Sequence, residues 1–148
     1  MRLPLIAAAL VLVAAPAYAQ HGSHGTKTHY QAPLRGASQV PPVATNGSGV
    51  ADVWYDTASK TLSWKITYSG LTGPVTAAHI HRGAAGVNGP PVVTLSIPGD
   101  DDSDDCDVVA DALLDEIVDN PAGFYVNVHT ADYPNGAIRG QLMRVPGA

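Results

Sequence analysis

Two histidines one residue apart, His79 and His81, stand in a chain that contains only six histidines. Alternate residues of a β-strand project to the same face, with side-chain bases about 7 Å apart. Two imidazoles at that separation can converge on one metal ion, which each nitrogen binds at about 2 Å. If residues 77–82 form a strand, they therefore supply half of a metal site, and Ile80 points into the core.

A third histidine has the same phase on a second candidate strand, "YVNVHT" at residues 125–130. If Val126 and Val128 face the core, His129 faces the side on which the pair lies. We expect imidazole nitrogens of His79, His81 and His129 to converge within about 4 Å of one another, as ligands of one ion must. Imidazole suits copper, zinc and nickel, and copper heads the divalent affinity order, so we expect a copper ion.

Five further residues are candidate accessories to this site. Met143 is a soft ligand or, as is usual for such a position, a core side chain. Arg139 either steers an anion toward a copper, or forms a sheet-surface ion pair or hydrogen bonds to loop carbonyls, and we favour the second alternative. The remaining three are histidines of an N-terminal tail that either add weak copper ligands or belong to a solvated linker: His21, His24 and His29.

The elements that must position these residues are mostly strands. Alternation over residues 50–55 and 62–68 predicts a β-hairpin, and further short apolar runs follow between Gly and Pro residues. We predict a mainly β fold, a single antiparallel β-sandwich or barrel. Residues 107–120 place Val109, Leu113 and Ile117 on one stripe, which predicts one short amphipathic helix. Residues 20–31 are polar and aperiodic, which predicts a flexible tail before a domain at 32–146.

The first 19 residues have the form of a secretory signal peptide. Arg2 precedes an apolar run at residues 3–13, and Ala17-Tyr18-Ala19 matches a cleavage site. The alternative is an uncleaved anchor, but the run is too short to span a bilayer and no later segment is more apolar. We predict cleavage after Ala19, no transmembrane segment in the mature chain, and a periplasmic or secreted location.

Charge and cysteine content exclude several classes of function. The formal net charge is −5, which argues against a nucleic-acid partner. Cys106 is the single cysteine and lies among aspartates, which predicts a poorly nucleophilic thiol and no internal disulfide. Ten of the 13 acidic residues lie between Asp100 and Asp119. The run at Asp100–Asp107 lacks the order of an EF-hand, and we interpret it as a solvated acidic loop rather than a calcium site.

Three segments together resemble the CHRD (chordin-type) domain family: "LRGASQVPPVATNGSG", "AAHIHRGAAGVNGPPVV" and "FYVNVHTADYPNGAIRGQL". The resemblance covers residues 34–142. It implies a β-sandwich of immunoglobulin-like or related type, found in bacterial exported proteins and in chordin, without a settled biochemical activity. A fainter likeness to copper-zinc superoxide dismutase rests on the His-x-His pair, but the disulfide and the zinc loop of that family have no counterpart in the sequence.

Three hypotheses follow. The first is an exported copper-binding protein rather than an enzyme, with His79, His81 and His129 as ligands. The second is a metal-free module for another exported protein or a surface polymer. In it the histidines form a hydrogen-bonded cluster that fixes residues 83–90 with five further residues: Arg82, Asn88, Tyr125, Asn127 and Arg139. The third is a copper-dependent oxidoreductase of superoxide dismutase type.

Overall fold

A computed structural model describes residues 27–96 and 105–147, and residues 105–108 by their backbone only. Within these ranges the chain forms nine strands and one α-helix, besides short 3-10 turns at Gly36–Ser38 and Pro121–Gly123. The elements are β1 Lys27–Arg35, β2 Ser48–Asp56, β3 Thr61–Ser69, β4 Val75–Arg82, β5 Pro91–Leu95, β6 Asp105–Val108, α1 Asp111–Asp119, β7 Phe124–Thr130, β8 Ile138–Gln141 and β9 Met143–Arg144.

The strands form one antiparallel sheet that is nearly closed into a barrel. Their order is β5-β4-β7-β8-β1-β2-β3-β6, and β9 pairs with β1 outside this path. This confirms the predicted mainly β fold, a single antiparallel β-sandwich or barrel, in its barrel form. The order places β4 and β7, the two strands that carry the histidines, side by side.

Alternation along the strands separates the core from the surface. In β3, Leu62, Trp64 and Ile66 are buried, and in β4 Ile80 is fully buried, as the period of two predicts. The predicted hairpin is confirmed, because β2 pairs with β3 along its whole length, from Ser48 opposite Ser69 to Asp56 opposite Thr61. The interior is filled by apolar side chains from β1, β2, β3, β4, β5, β7 and β8, and Leu114 and Ile117 of α1 join the same cluster.

The helix prediction over residues 107–120 is wrong at its start. The helix begins at Asp111 with Ala110 at its N-cap, and residues 105–108 instead form β6, which pairs with β3. A β-branched pair at 108–109 favours extended backbone, and β3 offers an unpaired edge that β6 satisfies. The apolar stripe indicates a helix, but it does not show that the residues just before the helix pair with the edge of β3.

The tail prediction over residues 20–31 is wrong from Lys27 onward. Strand β1 begins there and pairs with β2, so Lys27 lies opposite Asp56 and His29 opposite Trp54. His29 is therefore a strand residue rather than a tail ligand. The predicted signal peptide, His21, His24 and residues 100–104 of the acidic run lie outside the described residues. No helix in the described part of the chain is long and apolar enough to cross a membrane.

The close approach of β8 to β1 yields a stability prediction. A Cβ added at Gly140 would lie 2.2 Å from the backbone oxygen of Pro33, so Gly140→Ala must push the two strands apart. We expect a loss of about 3 kcal/mol in the free energy of unfolding, measured by urea denaturation. Gly86→Ala is the control, because nothing lies within 4 Å of its added Cβ and only its positive φ of 81° opposes the change. Its expected cost is about 1 kcal/mol. Equal losses for the two variants would contradict the packing explanation.

Candidate metal centre

The three predicted ligands lie together on the outer face of β4 and β7. His79 is opposite Asn127 and His81 opposite Tyr125, while His129 is opposite Ala77. His129 is therefore a diagonal neighbour of His79, close enough for the two rings to touch. The ring centroids of His79 and His129 are 5.2 Å apart, and those of His79 and His81 are 5.6 Å apart.

The ligand atoms of the three histidines all lie within 4.8 Å of one another. This is wider than the convergence of about 4 Å that we expect for bound ligands. His79 Nδ1 and His129 Nε2 are already 3.3 Å apart. Two nitrogens bound to one ion at 2.0–2.1 Å are separated by about 3.4 Å at tetrahedral angles. Closing the widest separation from 4.8 Å to about 3.4 Å, a side-chain adjustment of about 1.4 Å, would therefore complete a three-nitrogen site.

Two backbone carbonyls fix the tautomers of His81 and His129. His81 Nδ1 lies 2.9 Å from the oxygen of Gly89, and His129 Nδ1 lies 2.9 Å from the oxygen of Pro134. A carbonyl oxygen only accepts, so each Nδ1 carries the proton and donates it. The lone pair of each neutral ring is then on Nε2. This is how ligating histidines are usually oriented, through the ring nitrogen that does not touch the metal.

Among the residues that the structure describes, the Nε2 atom of His81 has no hydrogen-bond partner although it is buried. His81 is only 8 % exposed, whereas His79 and His129 are half-buried at the mouth of the cluster. A buried unpaired acceptor is costly, and a bound cation would remove that cost. The His81 lone pair is thus held toward the cluster without a competing donor among the described residues.

Burial keeps His79 and His81 in the neutral form that binds metal. Desolvation lowers the pKa of His79, and the neighbouring His129 and His81 lower it further. Desolvation is also the main cause that lowers the pKa of His81, followed by His129 and Arg139, while the hydrogen bond to Gly89 opposes these causes. Neutral imidazoles are therefore the prevailing form of both residues at pH 7.

His81 is held from behind by a stack of planar groups. The Tyr125 ring lies on the His81 ring with centroids 4.9 Å apart and planes at 12°, and the guanidinium carbon of Arg139 lies 3.4 Å from the Tyr125 centroid. Arg139 is 1 % exposed. Its donors reach the backbone oxygens of Ala84 and Val87, so of the two roles that we favoured, Arg139 has the hydrogen bonds to loop carbonyls, and the described ion pairs do not include it.

Residues 83–90, here called the β4–β5 loop, fold back over this stack. Asn88 accepts a hydrogen bond from Arg139, and the Tyr125 hydroxyl contacts the backbone of Gly89. A Cβ at Gly89 would lie 1.6 Å from the Arg82 oxygen, so this close return requires glycine. The sequence indicated the loop and the side chains that hold it. It gave no indication that the backbone carbonyls of Gly89 and Pro134 orient the histidines, because every residue type has such a carbonyl.

Other candidate residues take different places. The Arg82 side chain pairs with Glu116 at 2.7 Å and Asn127 accepts from Gln39 at 2.7 Å, so neither side chain fixes the β4–β5 loop as predicted. Met143 is 50 % exposed and pairs with Gln31 of β1, so its prediction as a core residue is wrong. It is not on the strand pair that carries the cluster.

His29 is engaged away from the cluster. Its Nε2 lies 2.8 Å from Asp52, and its ring stacks on Trp54 with centroids 4.9 Å apart. It lies on the outer face of β1 and β2, whereas the metal-ligating group found among the described residues consists of His79, His81 and His129. His29 is therefore neither a weak ligand of a flexible tail nor part of a solvated linker, the two alternatives that the sequence left open.

The comparisons with known proteins give one match. A family model described as CHRD domain matches residues 30–142, most of the described chain and all three clustered histidines. Neither the curated proteins nor the solved structures include a match to this chain. The match agrees with the resemblance carried by the sequence segments around residues 41–43, 79–83 and 125–142.

The lowered pKa values predict a pH-dependent stability without metal. Between the folded pKa and the unfolded value of about 6.5, the unfolded chain binds more protons, so stability falls as the pH drops below about 6.5. We expect this loss to be smaller in His79→Gln/His81→Gln, which lacks both groups. Urea unfolding in a chelating buffer between about pH 7.5 and 5.5 measures it. Identical pH slopes for the two proteins would show that the cluster is not held neutral.

Proposed function

Because the chain belongs to the CHRD domain family and bears a three-histidine cluster on that domain, we propose that it is an exported protein that binds one copper ion. His79, His81 and His129 are the proposed ligands. The observation that carries this proposal is the buried His81 Nε2, which has no hydrogen-bond partner in the described part of the chain, while the other ring nitrogen is fixed by the Gly89 carbonyl.

The donor set supports a transition metal. Imidazole nitrogens bind copper, zinc and nickel well, whereas calcium and magnesium prefer oxygen ligands. The cluster contains histidines only. Among divalent ions at a site of given ligands, copper has the highest affinity of the first-row series. We propose copper on this ground, with zinc as the competitor that a direct titration distinguishes.

Export is part of the proposal and rests on the sequence alone. Arg2, the apolar run at residues 3–13 and Ala17-Tyr18-Ala19 have the features of a cleaved signal peptide. An exported protein meets copper outside the cytoplasm. A bacterial periplasm or the extracellular space is the location that fits this signal.

Whether the site only binds copper or also catalyses a reaction depends on the fourth coordination position of the ion. Three protein ligands leave one position of a tetrahedral ion open, as in catalytic metal sites. We propose metal binding rather than an enzyme, because the described site offers no further group aimed at a substrate. A superoxide dismutation assay of the copper-loaded protein separates this proposal from an oxidoreductase of superoxide dismutase type.

A metal-free interaction module is the second candidate, and the β4–β5 loop favours it. Arg139, Tyr125 and Asn88 hold the loop to the sheet without any metal, and Val87 at its tip is 53 % exposed. A loop that is fixed by buried polar groups and presents an apolar tip suits contact with another exported protein or a surface polymer. In this case the histidines stabilise the loop and copper is not required.

The copper proposal predicts one tight equivalent per chain. We would titrate Cu(II) and Cu(I) into His21→Ala/His24→Ala, a background that removes the two histidines outside the described residues. We expect one equivalent bound, with nitrogen hyperfine structure in the EPR spectrum of the cupric form. His79→Ala/His81→Ala in the same background should lower the affinity by at least about a hundredfold, since two of three ligands are lost.

His29→Ala is the matched control for this experiment. It removes a histidine that pairs with Asp52 away from the cluster, so copper binding should be unchanged. Equal affinity of the double variant and the control would contradict the assignment of the site. An absence of binding, together with lower thermal stability of the double variant, would favour the interaction module.

A further inference from the structure

We propose that Arg139 sets the oxidation-state preference of the copper site, so that the protein binds Cu(I) in preference to Cu(II). This inference rests on the proposed function and deepens it. It makes Arg139 a positioning and specificity residue, because it acts on the ion through Tyr125 and His81 rather than by ligation. Both oxidation states bind, and the monovalent ion is the one that binds more tightly.

The ligands contribute no negative charge. The cluster found among the described residues consists of three histidines, with no carboxylate or thiolate as a fourth member. Neutral imidazoles leave the full charge of the ion in the site, one unit for Cu(I) and two units for Cu(II). Removing charge from water becomes steeply more costly as the charge increases, so a half-buried neutral site favours the lower charge.

Arg139 adds a positive charge directly behind this site. Its guanidinium carbon lies 3.4 Å from the centroid of the Tyr125 ring, whose other neighbour in the stack is the His81 ring at 4.9 Å. Arg139 is 1 % exposed and Tyr125 is 2 % exposed, so little water screens the charge from the ion. An arginine remains protonated in proteins, and this charge is therefore permanent.

The hydrogen bonds of Arg139 do not cancel its charge. They end on neutral oxygens, the backbone carbonyls of Ala84 and Val87 and the side-chain amides of Asn88 and Gln141. The described ion pairs of the chain involve other residues, and none includes Arg139. Amide dipoles orient the guanidinium, but the net charge beside the site stays at one positive unit.

The size of the effect follows from Coulomb's law. Two unit charges about 10 Å apart at an effective dielectric constant near 20 repel each other enough to change a binding constant roughly tenfold. Cu(II) carries one unit of charge more than Cu(I), so Arg139 lowers the affinity for Cu(II) by a further factor of roughly ten relative to the affinity for Cu(I). A tenfold change in the relative affinity of the two states corresponds to about 59 mV in the one-electron reduction potential.

The test compares the ratio of Cu(I) to Cu(II) affinity in matched variants of the full chain carrying His21→Ala/His24→Ala. Chromogenic chelators report Cu(I) affinity without oxygen, and nitrilotriacetate competition reports Cu(II) affinity. We expect Cu(I) to bind more tightly than Cu(II) before Arg139 is changed. Arg139→Gln should lower the ratio of Cu(I) to Cu(II) affinity about tenfold and the reduction potential by about 59 mV. Arg139→Lys keeps the positive charge but loses the planar guanidinium with its several donors, and it should leave both quantities nearly unchanged.

Two further variants separate charge from packing. Asn88→Asp places a carboxylate on the guanidinium at an exposed position, so it should lower the ratio severalfold even where Arg139→Gln does not fold. Lys65→Gln removes an exposed charge on β3, a strand not paired with β4 or β7, and should leave the ratio unchanged.

Each other result overturns a stated claim. Copper binding with equal ratios in Arg139→Gln, Asn88→Asp and the background would overturn this inference and leave the proposed function standing. A loss in Arg139→Lys as large as in Arg139→Gln would show that packing, not charge, sets the ratio. Tighter Cu(II) than Cu(I) binding before Arg139 is changed would also overturn it. If neither copper state binds that background, the proposed function fails together with this inference.

Discussion

The site depends on how the buried guanidinium of Arg139 is satisfied, because no carboxylate among the described residues pairs with it. Arg139 lies on the outer face of β8, and its charge is satisfied by carbonyl oxygens of the β4–β5 loop and by the face of Tyr125. Because the loop must cover Arg139, its return brings the Gly89 oxygen onto His81 Nδ1. The orientation of His81, one of the proposed ligands, thus follows from the way in which the Arg139 guanidinium is buried beneath the β4–β5 loop.

The sheet supplies the other half of the arrangement. Its pleat directs His79 and His81 outward and Ile80 inward, and the antiparallel pairing of β4 with β7 places His129 diagonally beside His79. The outer face would normally be solvated. Here two loops cover part of it and provide the Gly89 and Pro134 carbonyls. Strand geometry thus brings the imidazoles together, and the loop carbonyls bind Nδ1 of His81 and His129, so that Nε2 of each ring faces the cluster.

The sequence predicts those parts of the site that depend on local periodicity. The phase of Val126 and Val128 places His129 on the correct face, and the pair at His79 and His81 needs only a strand. Features that depend on long-range pairing are missed. Asp107 and Val108 belong to β6 rather than to the predicted helix because β3 has an open edge with which they pair. Lys27–Gln31 leaves the predicted tail because β2 also has such an edge, and Met143 is exposed because β9 is short and peripheral.

The central claim is that His79, His81 and His129 surround one copper ion, and X-ray absorption of the copper-loaded protein tests it most directly. The proposal predicts three imidazole nitrogens at about 2.0 Å, with the outer-ring scattering that rigid imidazoles produce, and one imidazole fewer after His129→Ala. A shell of oxygen ligands, or an imidazole count that His129→Ala leaves unchanged, would show that copper binds elsewhere. In that case the cluster's role is to hold the β4–β5 loop.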